Sequence, residues 1–203
     1  MANRTHALYS AGLVSQSFWF SEMRAMLRLI AAGNTEAEIR RICLEENLFG
    51  MKSEHRILEV YRRMRARAAH LDAPMMQLFL SSDLSTQKLI NLIAILRGDR
   101  LFFEFLYEVY REKAILGQLE MTDMDVNAFF TRKSAESEFV EGLSDATRKR
   151  LRSTYMNFLT DAGLLTTEGK RHRLTVPILD IFLERKLLAD GEEAVIKAIA
   201  GVN

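Results

Sequence analysis

Apolar side chains return every three to four residues along most of the chain, the spacing of helices that bury one face. Phe18, Met23, Met26, Leu27 and Ile30 define such a face and predict a helix over residues 15–32 that stops at Gly33. Thr35, with Glu38 three residues on, forms a capping box for a second helix to about Asn47, with Ile39, Ile42 and Cys43 inward. Ser53 caps a third over residues 54–71, whose stripe is Ile57, Val60, Tyr61, Met64, Ala68 and Leu71. Pro74 suits the first turn of a short helix to Leu80. Ser85 caps a helix over residues 86–97 that is apolar on nearly every side, as a central buried helix is. The next, over residues 100–116, is rich in Phe and Tyr. The pattern predicts a bundle of about six helices over residues 15–116.

At Gly117 the pattern changes. Thr122 opens a helix through Phe130, and a short one follows around residues 134–141. Gly142, Leu143 and Ser144 make a tight turn, Ser144 caps a long helix over residues 145–162, and Gly163 stops it. Leu164–Thr167 and Lys170–Val176 read as a β-hairpin around Glu168-Gly169. Pro177 opens a helix to Ala189, and a short helix over residues 192–200 ends the pattern. Helix, helix, tight turn, helix, hairpin is the order of a winged helix-turn-helix. The expected fold is therefore mainly α. A helical bundle domain spans residues 1–117, and a winged helix-turn-helix with one small β-hairpin and C-terminal helices spans residues 118–203.

In the long helix Thr147, Leu151, Tyr155, Phe158 and Ala162 share one face, while Lys149, Arg150, Arg152 and Ser153 lie toward the other. A recognition helix offers such residues to the major groove, so Thr147, Lys149, Arg150, Arg152 and Ser153 are candidate DNA contacts. Lys170, Arg171 and Arg173, with His172 among them, sit where a wing would grip phosphates. From Ser144 to Arg173 seven Lys or Arg face three Asp or Glu, a local charge of +4. The same residues also fit a solvated face or a protein-contact surface. A second basic cluster, Arg56, Arg62, Arg63, Arg65, Arg67 and His70, flanks the third helix's apolar stripe and is expected to be exposed, as a nucleic-acid surface or a solubilising one.

Composition narrows the function classes. The 203 residues carry 28 Lys plus Arg against 27 Asp plus Glu, so bulk charge identifies no partner. Leu (28) and Ala (21) far outnumber Val (8), and 10 Gly with 2 Pro argue against an all-β or glycine-rich phosphate-binding fold. Cys43 alone excludes an internal disulfide, and with only four His a structural zinc site is not expected. Asp123 and Asp125 suit a first helical turn better than a metal site. No P-loop, dinucleotide fingerprint or nucleophile elbow occurs, so no cofactor and no catalytic residue is expected. Trp19, between Phe18 and Phe20, fits a core position better than a base-stacking platform, and the ten Met fit core filler. The longest uncharged stretch, Thr5 to Ser21, is interrupted by polar residues, and Leu89 to Leu96 is too short to span a bilayer. With no secretory pattern either, the expectation is a cytoplasmic protein without membrane contact.

The run Tyr9-Ser10-Ala11-Gly12-Leu13, then Ser15-Gln16-Ser17-Phe18-Trp19 and Glu22, resembles the opening of the BrxA family. Asn47-Leu48-Phe49, the Arg-rich third helix, Ser144 and Thr147 before Leu151, and Ala162-Gly163-Leu164-Leu165 fit the same family. The resemblance implies a non-enzymatic, double-stranded-DNA-binding accessory protein of a BREX bacteriophage-exclusion system, an antiviral defence. It implies an N-terminal bundle similar to the NusB fold, joined to a winged helix. Other BREX proteins are the implied partners: a methyltransferase, an ATPase and an alkaline-phosphatase-like protein. The family supplies no catalytic residues to carry over. Two rival readings stay open, a protein–protein scaffold within the defence complex and an RNA-binding bundle acting through Arg62, Arg63, Arg65 and Arg67.

Overall fold

Side-chain caps decide where most helices begin. The computed structural model describes residues 8–169 and 171–202. The Thr35 hydroxyl accepts from the Glu38 N–H, while the Glu38 carboxylate accepts from the Thr35 N–H, completing the capping box. Ser53, Asp72, Asp99, Thr122, Ser144 and Asp180 each accept a backbone N–H from the first turn of the helix they precede.

Helices α1 (Phe20–Ala31), α2 (Glu36–Glu45), α3 (Glu54–Ala68), α4 (Ala73–Ser81) and α5 (Leu84–Gly98) form one compact unit, Trp19–Gly98. Its core is Met-rich: Met23, Met26, Met64 and Met75 lie fully inside with Leu27, Val60 and Phe79. On α5 every residue from Leu89 to Leu96 is buried, as its all-round apolarity predicts. Two starts differ from the pattern. A 3-10 turn (Gly12–Ser15) occupies the expected beginning of α1, and Trp19 adopts a left-handed conformation, φ 46°, so that the helix begins only at Phe20. In α5, Asp83 rather than Ser85 takes the Thr86 N–H and starts the helix early.

The second unit consists of the segment up to Phe18 together with the chain from Asp99 onward. It holds α6 (Arg100–Phe105), a π-helical turn (Leu106–Tyr110), α7 (Arg111–Ile115), β1 (Glu120–Met121), α8 (Asp123–Glu136) and α9 (Glu138–Glu141). Then come α10 (Asp145–Ala162), β2 (Leu165–Glu168), β3 (Arg171–Leu174), α11 (Ile181–Ala189) and α12 (Glu193–Ala200). The expected hairpin becomes a three-stranded antiparallel sheet in the order β1-β3-β2, because Glu120 pairs with Arg173 and Met121 with His172. The helix expected from Pro177 starts at Ile181, where the Asp180 carboxylate receives the Phe182 and Leu183 N–H groups. The division expected at Gly117 falls inside this unit, since the Tyr110 hydroxyl donates to the Thr175 carbonyl and α12 packs on the π turn.

Aromatic rings fill the core of this unit. Tyr155 of α10 lies 4.7 Å from Phe102 and 5.2 Å from Phe105, and Phe158 lies 5.9 Å from Phe18. The N-terminal segment is pinned by two side chains: Tyr9 donates to Glu104 at 2.7 Å and Ser10 to Asp99 at 3.0 Å. Buried Lys133 sits among Glu104, Glu108 and Glu136 at 2.9, 2.6 and 2.9 Å. Burial disfavours its charge, but the three carboxylates raise its pKa well above the ordinary lysine range.

Candidate nucleic-acid interface

The start of α10 is fixed by its turn. Ser144 receives the Thr147 N–H, and the two hydroxyls lie 2.9 Å apart, so the Thr147 hydroxyl is engaged in the cap. The Arg148 guanidinium donates to the Val140 and Glu141 carbonyls at 3.1 and 2.8 Å and braces the α9–α10 turn. It is a structural group, and its charge satisfies the carbonyl end of a short helix.

The next basic residues have different surroundings. Lys149 and Arg150 are exposed and form no ion pair among the described residues. Ser153 is exposed and donates to the Lys149 carbonyl. Arg152 points back to α8: it donates to Asn127 Oδ1 at 3.1 Å, approaches Asp123 Oδ2 at 3.3 Å, and is only 20% exposed. Arg152, a candidate DNA contact by sequence, is thus paired, since α8 crosses α10 near enough to offset its charge. Asp123 and Asn127 were missed as members of this surface, because a first-turn acid reads equally well as a dipole partner.

On the sheet, Arg171 lies 3.6 Å from Glu120 and Arg173 lies 3.6 Å from Glu168, both as exposed cross-strand pairs. His172 is half-buried, with Nδ1 3.2 Å from the Thr167 hydroxyl. Lys170 lies outside the described residues. A cleft of about 370 Å³ runs between α8 and α10, with Asn127, Thr131, Lys149 and Arg152 on its walls. Another of about 490 Å³ is lined by Glu120, Thr122, Asp123, Arg171 and His172. Asp123 therefore belongs to both neighbourhoods: it faces Arg152 and lines the cleft that Arg171 and His172 share.

The second cluster, on α3, is divided. Arg62 is exposed and Arg63 half-buried, whereas Arg65 pairs with Glu36 at 2.8 Å and Arg56 with Glu59 at 2.6 Å. Arg67 corrects the expectation of exposure. It is 4% exposed, it hydrogen-bonds Asn91, and it lies 6.0 Å from the centre of the Trp19 ring, which Arg56 also covers. Trp19 is itself buried as a core ring. Cys43 is buried too, and burial pushes its thiol up to about 11, far from the thiolate a nucleophile requires. No helix of the described residues is long and apolar enough to cross a membrane.

A BrxA family profile matches residues 7–191. The "BREX protein BrxA" of Bacillus cereus (strain H3081.97) is 31% identical over 194 residues, 96% of this chain and 97% of that protein. The crystal structure of an uncharacterized protein from Magnetospirillum magneticum aligns with a TM-score of 0.79 over 95% of this chain and 98% of its own. At 19% identity that likeness is one of fold.

Proposed function

The chain belongs to the BrxA family and is a component of a BREX system, and from that premise we propose that it is a double-stranded-DNA-binding accessory protein without catalytic activity of its own. The observation that carries the reading is the contiguity described above. Lys149 and Arg152 line the α8–α10 cleft, Arg171 and Asp123 line the other, and the Arg152–Asp123 pair at 3.3 Å joins the two neighbourhoods. We read residues 99–174 as a winged helix. The order of helix, β1, α8–α9, α10, β2 and β3, with strand order β1-β3-β2, supports it. In that reading α10 enters the major groove with Lys149, Arg150 and Ser153, while Arg171, Arg173 and Lys170 hold phosphates. Thr147 and Arg152 orient the helix rather than read bases. The NusB-like reading of the N-terminal bundle rests on the family resemblance.

These contacts are charged, so binding is dominated by phosphate and weakly selective for sequence. Fluorescence anisotropy of a labelled duplex at two salt concentrations tests it: affinity falls steeply with salt, and duplex DNA outcompetes single-stranded RNA. No binding at low salt rejects the proposal. RNA winning the competition moves the function to the α3 surface of Arg62 and Arg63.

A second reading has its own observation. Ile178 is 97% exposed, and Val176, Ile181 and Phe182 near it in sequence are also exposed apolar side chains. Such side chains favour docking by other BREX proteins. Co-purification that survives nuclease and high salt, and is lost on Ile178→Asp, supports that role alongside DNA binding.

A further inference from the structure

The exposed segment after β3 is part of a larger apolar surface, where three stretches far apart in the chain meet. The Leu174 N–H donates to the Leu119 carbonyl, and the Tyr110 hydroxyl donates to the Thr175 carbonyl. Gly201, just after α12, packs so closely that a Cβ there would lie 2.5 Å from Ala114 Cβ and 3.7 Å from Val176 Cγ2. Around these contacts Ile115, Leu116, Leu119, Val176 and Val202 turn apolar side chains to solvent. Ile178, Ile181 and Phe182 continue the exposed apolar run into the start of α11. Arg111 and Glu112 of α7 stand beside this surface. Arg111 Nε donates to the Val202 carbonyl at 2.8 Å, and its guanidinium lies 4.6 Å from the centre of the Tyr107 ring. Neither Arg111 nor Glu112 has an ion pair among the described residues.

The area matches one side of a dimer. The seven aliphatic side chains expose the equivalent of about four complete ones, roughly 240–480 Å² at about 60–120 Å² each. Phe182, 63% exposed, adds roughly 100–150 Å². A standard interface takes about 800 Å² from each partner, of which about 450–520 Å² is apolar. The charge also suits a copy of the same surface. Its centre is made of uncharged side chains, and its rim carries one cation and one anion. Two copies related by a two-fold axis can therefore set Arg111 of one toward Glu112 of the other, whereas a rim of one sign would repel its own copy. A whole-chain charge of +1 adds little long-range repulsion. We propose that this surface is a two-fold dimer interface, seated on the same surface of a second copy of the chain. The proposal does not rest on the DNA reading, and docking by another BREX protein is its rival.

Sedimentation equilibrium of the full chain, freed of nucleic acid and in high salt so that DNA bridges no copies, tests it from roughly 1 to roughly 300 µM. A monomer–dimer equilibrium with a Kd in the micromolar range or below is expected, the range that standard-size interfaces reach. Ile178→Asp and Leu116→Lys, at positions 97% and 70% exposed, are each expected to keep the fold and to weaken the dimer at least about 10-fold. Leu84→Asp, at an exposed apolar position of the unit Trp19–Gly98, is expected to leave association unchanged. Circular dichroism identifies the folded variants. A monomer at every concentration overturns the proposal and leaves the surface to another BREX protein. A dimer that survives either substitution in a folded variant overturns it as well, and so does one that Leu84→Asp weakens equally.

Discussion

Removing Lys149 and Arg150 together is the sharpest test of the α10 surface. Each phosphate contact adds about 0.9 to the steepness with which log affinity falls against log salt. Among the described candidates the proposed reading assigns four cations to such contacts: Lys149 and Arg150, which have no ion pair there, and Arg171 and Arg173, whose exposed 3.6 Å pairs are worth little. Four contacts give a slope near −3.6, so raising salt from about 50 to about 200 mM weakens binding roughly 150-fold. Lys149→Ala/Arg150→Ala leaves two, a slope near −1.8, and a loss of only about 12-fold over the same range. Arg152→Ala is the contrast, because Asp123 at 3.3 Å already offsets its charge; its slope changes by less than one full contact. Asp123→Asn releases that charge and strengthens binding. Anisotropy titrations on a random-sequence duplex at four salt concentrations measure all of this. If the double variant runs parallel to the wild type, or Arg152→Ala has the larger effect, the assignment of α10 as the groove-facing helix is wrong.

Other expectations concern the core. Lys133→Met leaves Glu104, Glu108 and Glu136 facing one another without their cation and lowers stability by about 3 kcal/mol in urea unfolding; adding Glu104→Gln restores part of it, and an unchanged midpoint refutes the network's role. Burial holds the Asp99 carboxyl up to about 6 from its ordinary 3.8, so its contribution is complete below pH 3.8 and is lost as pH rises through 6. The stability of the wild type minus that of Asp99→Asn is therefore expected to fall by about 2–3 kcal/mol between pH 4 and 7, and parallel pH curves would contradict this. Arg67→Ala costs about 2 kcal/mol or more and leaves the nucleic-acid affinity of the folded protein intact, whereas Arg62→Ala stays within about 0.5 kcal/mol; calorimetry beside anisotropy separates the two.

Local signals located α10 well, and long-range ones did not. The helix occupies Asp145–Ala162 as its pattern predicts, because Ser144 closes one end by a side-chain bond and Gly163, at φ 84°, closes the other. Strand β1 has only two residues, and nothing near Glu120 and Met121 announces their pairing with Arg173 and His172 fifty residues later. Arg67 was legible and overlooked. Val60, Met64, Arg67 and Leu71 follow the spacing of the apolar face, so periodicity placed Arg67 inside while its charge argued for the surface. For Arg152 the angular position on α10 was read correctly. Its partner Asp123 depends on how α8 crosses α10, which no single helix records.

The motif that carries the family resemblance has a physical task in this fold. Tyr9 and Ser10 bind Glu104 and Asp99, Leu13 is buried in the 3-10 turn that packs on α10, and Phe18 meets Phe158. The chain leaves this unit at Phe18, builds a second unit over Trp19–Gly98, and returns at Asp99. A fragment beginning at residue 118 would therefore lose Phe102 and Phe105 from beside Tyr155, and Glu104 and Glu108 from beside Lys133. It would expose aromatic area that contributes about 2–3 kcal/mol per ring. The change of composition at Gly117 marks a change of local structure, whereas cooperative folding follows the contacts, which bind the segment before Phe18 to the chain after Asp99. With Trp19–Gly98 unfolded, bringing those segments together costs loop entropy of roughly 4 kcal/mol, a cost that falls once the inserted unit holds its own ends. The candidate DNA surface thus depends for its stability on a segment more than a hundred residues upstream, and a truncation chosen from the sequence break would test an unfolded fragment rather than the interface.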